Sequence, residues 1–203
     1  MVDAVVKGDV QRTWELVIPP GSGDDHVFAI GKLFFDRIFE VTPGAEALFS
    51  FKGEDRAESA KFRAHAIKVI KTVGVAVAKL DDLETLVPIL EDLGKKHVAY
   101  GVVAEHYDLI GSALLWTLKT GLGDEFTPNV EKAWTAVYGV VANTMKAGAG
   151  YDKPAALKVS SSSSSGGSSS SSGRSGSRQP LRRGLIKLGA MAAAVLFARA
   201  LVK

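Results

Sequence analysis

Apolar residues recur at every third or fourth position along most of the first 150 residues, a spacing that places them on one face of an α-helix. The longest run extends from residue 57 to 80, and two shorter runs cover residues 86–97 and 107–118. No segment alternates between apolar and polar residues as a half-buried strand would. The pattern therefore predicts an all-α protein.

Capping and turn residues predict where several of these helices begin and end. Pro19-Pro20 should end a first helix, and Asp24 or Asp25 is expected to cap a second helix that ends before Pro43. Thr127-Pro128 has the composition of a helix start, with Thr as the cap and Pro in the first helical position. A long final helix is expected to follow it.

Composition divides the chain into three parts. Residues 160–177 consist of 13 Ser, 4 Gly and one Arg, and a segment of this kind has no apolar surface to bury. We expect a helical domain at residues 1–158, a flexible, disordered linker at 159–180, and an apolar helix with basic flanks at 181–203.

The last segment is close to the length that a membrane span requires. Residues 185–202 would form about 27 Å of helix, against a hydrocarbon core of about 30 Å, if Lys187 and Arg199 extend toward the two faces. The segment resembles a C-terminal membrane anchor, which would hold the helical domain at the cytoplasmic face. A helix lying in the membrane interface, or docking on a partner or on the protein itself, is the alternative.

Charge and cysteine content exclude several classes of function. Residues 1–158 carry 18 Lys and Arg and all 22 Asp and Glu, whereas residues 159–203 carry seven basic residues and no acidic one. The helical domain is thus slightly acidic, which argues against nucleic acid as a partner. The chain has no Cys, which excludes disulfide bonds, thiolate metal ligands and a thiol nucleophile.

Two histidines, His65 and His97, lie on the apolar stripes of separate predicted helices. Each alone is more often a core residue than a ligand. Together they could face each other across a gap that a planar iron porphyrin would fill, because imidazole binds iron well and apolar walls shield the metal from water. The spacing by itself leaves both interpretations open.

Several motifs in a fixed order favour the second interpretation. Pro43 is followed six residues later by Phe49, then by Phe51, His65 and Leu93-x-x-x-His97, and Trp14 stands near the start of the chain. With these motifs, the chain resembles the globin family, and within it the neuroglobins, over roughly residues 8–148. The resemblance is densest in the segments 92–102, 121–128 and 133–139.

The resemblance implies a globin fold of six to eight helices around a pocket for haem b. His97 would be the proximal iron ligand, and His65 would either donate a hydrogen bond to bound O2 or bind the iron itself. Phe49 would pack flat against the porphyrin. The remaining residues expected at the haem are Phe35 and Val69 on the distal wall, Leu93, Val102 and Val103 on the proximal side, and Lys68 near a propionate.

Some of these roles have plainer alternatives. A general core position is an equal alternative for the three proximal residues, Leu93, Val102 and Val103. Lys68 is equally well interpreted as a solvated lysine, with its stem on apolar surface and its ammonium group in water.

For function, the resemblance implies that O2, NO or CO binds at the haem iron, with reversible ligation by both histidines. Such a protein would serve oxygen binding or transport, gas sensing or redox signalling at a membrane. The alternative is a haem enzyme, an NO dioxygenase or a nitrite reductase, which would need an external reductase as its electron donor. The sequence does not decide between these functions.

Overall fold

Residues 3–151 are described by the computed structural model of the chain. This part contains no strand, which confirms the all-α prediction. It contains six α-helices, with short 3₁₀ helices at Pro43–Leu48 after the second and at Gly123–Glu125 after the fifth. The α-helices are α1 Ala4–Val17, α2 Asp24–Val41, α3 Ala60–Ala78, α4 Leu83–Ala99, α5 Ala104–Leu122 and α6 Pro128–Ala149.

Side-chain caps explain where two of the helices begin. The Ser59 hydroxyl accepts a hydrogen bond from the Phe62 N–H at 3.1 Å and starts α3. The Thr127 hydroxyl accepts from the Val130 N–H at 3.4 Å, with Pro128 in the first position of α6. Each cap satisfies an N–H that has no partner within its own helix. The predicted start of the final helix is confirmed.

The predicted cap of α2 is wrong. The capping residue is Gly23, which offers no side chain, and Asp24 and Asp25 lie in the first helical turn. Both carboxylates instead pair with cations on α3: Asp24 with Lys71 at 2.7 Å, and Asp25 with Arg63. Negative charge in the first turn also suits the positive end of the helix dipole. The two acidic residues therefore connect α2 to α3 by ion pairs and do not cap α2.

Helices α1 and α6 are joined by a contact between two tryptophan rings and by a buried hydrogen bond. The Trp14 and Trp134 rings lie 5.9 Å apart. The Trp134 indole N–H donates to the hydroxyl of Thr13 at 2.9 Å, and that hydroxyl donates to the Asp9 carbonyl at 2.6 Å. Every polar group in this chain of contacts has a partner, so its burial carries little penalty.

A glycine lets α2 and α3 cross closely. A Cβ atom on Gly31 would lie 2.9 Å from the backbone oxygen of Ala66, so the two helix backbones touch at this point. His65 precedes Ala66 on α3, and Phe35 is one turn after Gly31 on α2. The close crossing therefore brings the Phe35 ring against the His65 ring, with 5.3 Å between their centroids.

Two more glycines hold α4 against α6. A Cβ on Gly94 would lie 2.0 Å from the Met145 backbone oxygen, and one on Gly148 would lie 2.2 Å from the Glu91 oxygen. Distances under 3 Å cannot be accommodated by a side-chain adjustment when the atom met is backbone. The contact fixes the position of α4, which carries His97 near its C-terminal end.

No helix within residues 3–151 combines the length and the apolarity that crossing a bilayer requires. The predicted linker at 159–180, the predicted apolar helix at 181–203 and the predicted domain end at 158 lie outside the described residues.

Replacing Gly94 with Ala should destabilise the fold, because the new methyl group has to push α4 away from α6. We expect a loss of about 1–3 kcal/mol in the free energy of unfolding, measured by urea denaturation. Gly139→Ala is the matched control: it lies in α6 with nothing within 4 Å of the added Cβ. The free energy of unfolding of Gly139→Ala should increase by about 0.5–1 kcal/mol, because alanine favours a helix interior over glycine. Equal effects of the two substitutions would contradict the packing described here.

Candidate functional site

His65 projects from α3 into a cluster of phenylalanine rings. Its ring centroid lies 5.3 Å from those of Phe35 and Phe49 and 5.8 Å from that of Phe51. Phe35 is buried on α2, whereas Phe49 and Phe51 come from the segment between the first 3₁₀ helix and α3. These aromatic contacts hold the imidazole of His65 in a largely apolar environment.

This environment keeps His65 neutral. Burial, together with the nearby charges of Lys68 and His97, lowers the pKa of His65 from 6.5 to about 4. Burial disfavours the charged imidazolium, and neighbouring cations do the same. His65 is therefore an uncharged imidazole at neutral pH, with a lone pair on one nitrogen.

His97 is oriented by a hydrogen bond within α4. Its Nδ1–H donates to the backbone oxygen of Leu93 at 2.8 Å. A carbonyl oxygen only accepts, so the proton of the neutral imidazole lies on Nδ1 and the lone pair on Nε2. Burial lowers the pKa of His97, and the hydrogen bond to Leu93 opposes part of that effect. The tautomer with Nε2 available is the one that a metal ligand needs.

The chain beyond His97 turns back into α5 through two hydrogen bonds. The Val102 N–H donates to the His97 carbonyl at 3.1 Å, and the Tyr151 hydroxyl donates to the Val102 carbonyl. The structure thus places Leu93 and Val102, two of the expected proximal residues, next to His97. Val103 is 44% exposed, and its expected place at a cofactor stays a prediction.

Two residues expected at the haem follow His65 on α3: Val69 on the distal wall and Lys68 near a propionate. Val69 is one turn further along, half-buried and packed against the core. Lys68 is half-buried, and its pKa is lowered first by burial and then by the charge of Lys96 on α4. Lys96 itself pairs with Asp92 at 2.6 Å. Lys68 adds positive charge close to His65 along α3, and positive charge favours carboxylates.

The sequence pattern does not single out two further buried aromatic residues, Phe51 and Tyr107, as site residues. Phe51 is fully buried and stacks on Phe49 at 5.2 Å, and the only signal for it is the Phe49-x-Phe51 spacing. Tyr107 is 6% exposed, and within residues 3–151 its hydroxyl has no hydrogen-bond partner. Its place on the apolar stripe of α5 makes it look like an ordinary core residue.

Comparison with known families identifies the fold. The family model described as Globin matches residues 32–145, which is more than half of the chain. The chain is a globin.

The relatives of this globin are neuroglobins. It is 34% identical to neuroglobin of Danio rerio over 147 residues, which cover 70% of this chain and 89% of that protein. It is 36% identical to neuroglobin-2 of Oncorhynchus mykiss over 123 residues, covering 58% and 77% of the two chains. The protein is therefore a neuroglobin-like globin, as the motifs around His97 predict.

A solved structure supports the same fold. The crystal structure of a hexacoordinated haem protein from an anhydrobiotic tardigrade, determined at pH 4, matches with a TM-score of 0.64 and 20% sequence identity. The match covers 72% of this chain and 94% of that one. At this identity the likeness concerns the fold, and it confirms the predicted globin architecture.

Membership in the globin family implies that the protein binds haem, and that gaseous ligands such as O2 bind to it. The side chains present fit such a group. His97 on α4 has the tautomer of a metal ligand, and His65 on α3 is held neutral. Aromatic rings contact His65, and Lys68, one turn along α3, adds positive charge that suits a carboxylate. These are the donor types and the apolar walls that a haem requires.

Acid should weaken the fold through His65. Its pKa is 6.5 in the unfolded chain and about 4 in the folded one, so the unfolded state takes up the proton first as the pH falls. The stability present above pH 6.5 is then lost between pH 6.5 and 4, by up to about 3 kcal/mol from this residue. Urea denaturation of the haem-free chain at pH 7 and pH 4 measures the loss. It should be smaller in His65→Leu, and an equal loss in both proteins would contradict the assignment.

Proposed function

We propose that this neuroglobin-like globin binds haem b between α3 and α4 and uses it to bind O2, NO or CO, with His97 as the proximal ligand and His65 as a reversible distal ligand. The observation that carries the proposal is the pair of neutral imidazoles on these two helices, with His97 Nδ1 bonded to the Leu93 carbonyl. When bound, the haem supplies an iron centre that coordinates diatomic gases.

On the proximal side, α4 presents His97 in one tautomer and one orientation. The Leu93 carbonyl fixes the ring through Nδ1, and it also increases the electron density at Nε2. The close contact of Gly94 with Met145 holds this part of α4 in place. Val102, whose N–H bonds the His97 carbonyl, and Val103 complete the proximal wall in this proposal.

On the distal side, His65 has two possible positions in this proposal, on the iron or beside a bound gas. Its neutral form is required for either role, and the apolar surroundings maintain that form at neutral pH. Phe35 and Val69 limit the size of the space next to it. Because the rings of Phe35 and Phe49 contact His65 directly, they also resist its displacement. A gas binds only when His65 moves aside.

Two further contacts would hold the haem itself. The Phe49 ring is half-buried and stacks on Phe51 at 5.2 Å, and in this proposal it also lies against the porphyrin. Lys68, near Lys96, supplies positive charge for a propionate.

Optical spectra of the haem-loaded chain test the ligand assignment. The reduced, gas-free protein should show a sharp, split visible band, because both axial positions are filled by histidine. His65→Leu should convert it to a single broad band, and His97→Leu should retain much less haem. His26→Gln is the control: His26 is exposed at the start of α2 and bonds the Val17 carbonyl, so this variant should keep the wild-type spectrum.

Two results would contradict the proposal. A single broad band in both the wild type and His65→Leu would mean that His65 does not bind iron. Failure of the wild-type chain to retain haem would remove the haem function itself.

We further propose that residues 181–203 attach this globin to the cytoplasmic face of a membrane. The support is in the sequence, where residues 185–202 are apolar except for Lys187 and Arg199, and Arg182-Arg183 precede them. Basic residues at the ends of an apolar helix can reach the two headgroup regions. The globin domain would then meet gases at a membrane surface, where apolar gases are concentrated.

Flotation with uncharged liposomes tests this attachment. The full chain should float with the vesicles and stay bound in high salt, because insertion depends on apolar burial rather than on charge. Ala193→Glu, which places a carboxylate in the middle of the apolar stretch, should greatly reduce flotation. Removing residues 181–203 should abolish it while leaving the haem spectrum unchanged. Binding to anionic vesicles alone, reversed by salt, would contradict insertion.

A further inference from the structure

Tyr107 contains a buried hydroxyl group without a hydrogen-bond partner. The side chain is 6% exposed, and within the described residues it is the one buried side-chain polar atom that lacks a partner. Tyrosine hydroxyls normally find a partner when they are buried, and an unmade hydrogen bond in the interior costs folding free energy. Phe at this position would fill the same space without that cost, so the hydroxyl calls for an explanation.

The neighbouring tyrosines show that this region does satisfy its hydroxyl groups. Tyr138 Oη donates to the backbone carbonyl of Tyr107, and Tyr151 Oη donates to the carbonyl of Val102. Lys146 Nζ lies 5.6 Å from the centroid of the Tyr107 ring and pairs with Asp108 at 3.3 Å. Of these three tyrosines, only Tyr107 has a hydroxyl without a hydrogen-bond partner within the described residues.

The position of Tyr107 connects it to the proximal side of the haem site. It lies in the first turn of α5, directly after the Val102–Val103 connection from α4. Val102 is bonded through its N–H to His97 and through its carbonyl to Tyr151. Burial, and after it the influence of Tyr151, raises the pKa of Tyr107 to about 12. Tyr107 therefore keeps its proton at neutral pH and can act as a donor.

We infer that Tyr107 Oη is a hydrogen-bond donor of the haem pocket, and that its acceptor enters the protein together with the haem. The acceptor is either a propionate oxygen of the haem or a water molecule enclosed with it. The inference rests on the proposed function, because it requires haem to bind beside the His97–Val102 corner. It makes Tyr107 a residue that favours the loaded protein over the empty one.

The rate of haem loss tests this role. Full-length chains loaded with hemin are mixed with an excess of a haem-scavenging protein, and hemin transfer is followed by absorbance. Tyr107→Phe should lose hemin about two- to tenfold faster than the wild type, which is the factor expected for one hydrogen bond. Tyr138→Phe is the matched control, because its hydroxyl bonds within the protein. It should lower the melting temperature and change hemin loss by less than twofold.

Hemin with esterified propionates separates the two sources of the acceptor. If a propionate carboxylate accepts the bond, the difference between Tyr107→Phe and the wild type should shrink with the ester. If an enclosed water accepts it, the difference should persist. Either result supports an acceptor that arrives with the haem.

Hemin loss from Tyr107→Phe that is no faster than from the wild type would overturn the inference. If Tyr107→Phe retains hemin as well as the wild type or better, and its loaded form melts at a higher temperature, the hydroxyl has no partner in the loaded protein either. If the wild-type chain does not retain hemin, the proposed function fails as well, and that result is separate from an effect of Tyr107.

Discussion

The hydrogen bond from His97 Nδ1 to the Leu93 carbonyl is the interaction on which the site depends. It decides which ring nitrogen carries the proton, and hence which one can bind a metal. Both partners lie on α4, so the bond survives only while that helix turn is intact. Gly94 belongs to the same turn and contacts the backbone of α6. The chemistry of one imidazole is thus linked to the packing of two helices.

The distal side works by a different physical principle. There, the rings of Phe35 and Phe49 contact His65 and hold its position. Their apolar surroundings also keep it uncharged. In the proposed function, His97 stays bound and His65 exchanges with a gas.

Local patterns in the sequence predict much of this fold. The apolar spacing indicates the helices, and Thr127-Pro128 gives the start of α6, because both depend on residues that are neighbours along the chain. The cap of α2 is not predicted correctly, because Gly23 takes the capping position and Asp24 and Asp25 pair with cations on another helix. Contacts across long sequence separations, such as Gly94 against α6, leave no local signal.

In the candidate site, too, some features follow from the local sequence and others do not. His65 and His97 could be singled out from their places on apolar stripes and from the motifs around them. The unpartnered hydroxyl of Tyr107 could not, because a pattern of apolar positions records that a residue is buried and not whether its polar atom has a partner. The central claim is that two histidines from α3 and α4 bind one haem iron. Electron paramagnetic resonance of the ferric, haem-loaded chain tests it most directly: a low-spin signal that becomes high-spin in His65→Leu is predicted, whereas a high-spin signal in the wild type would contradict it.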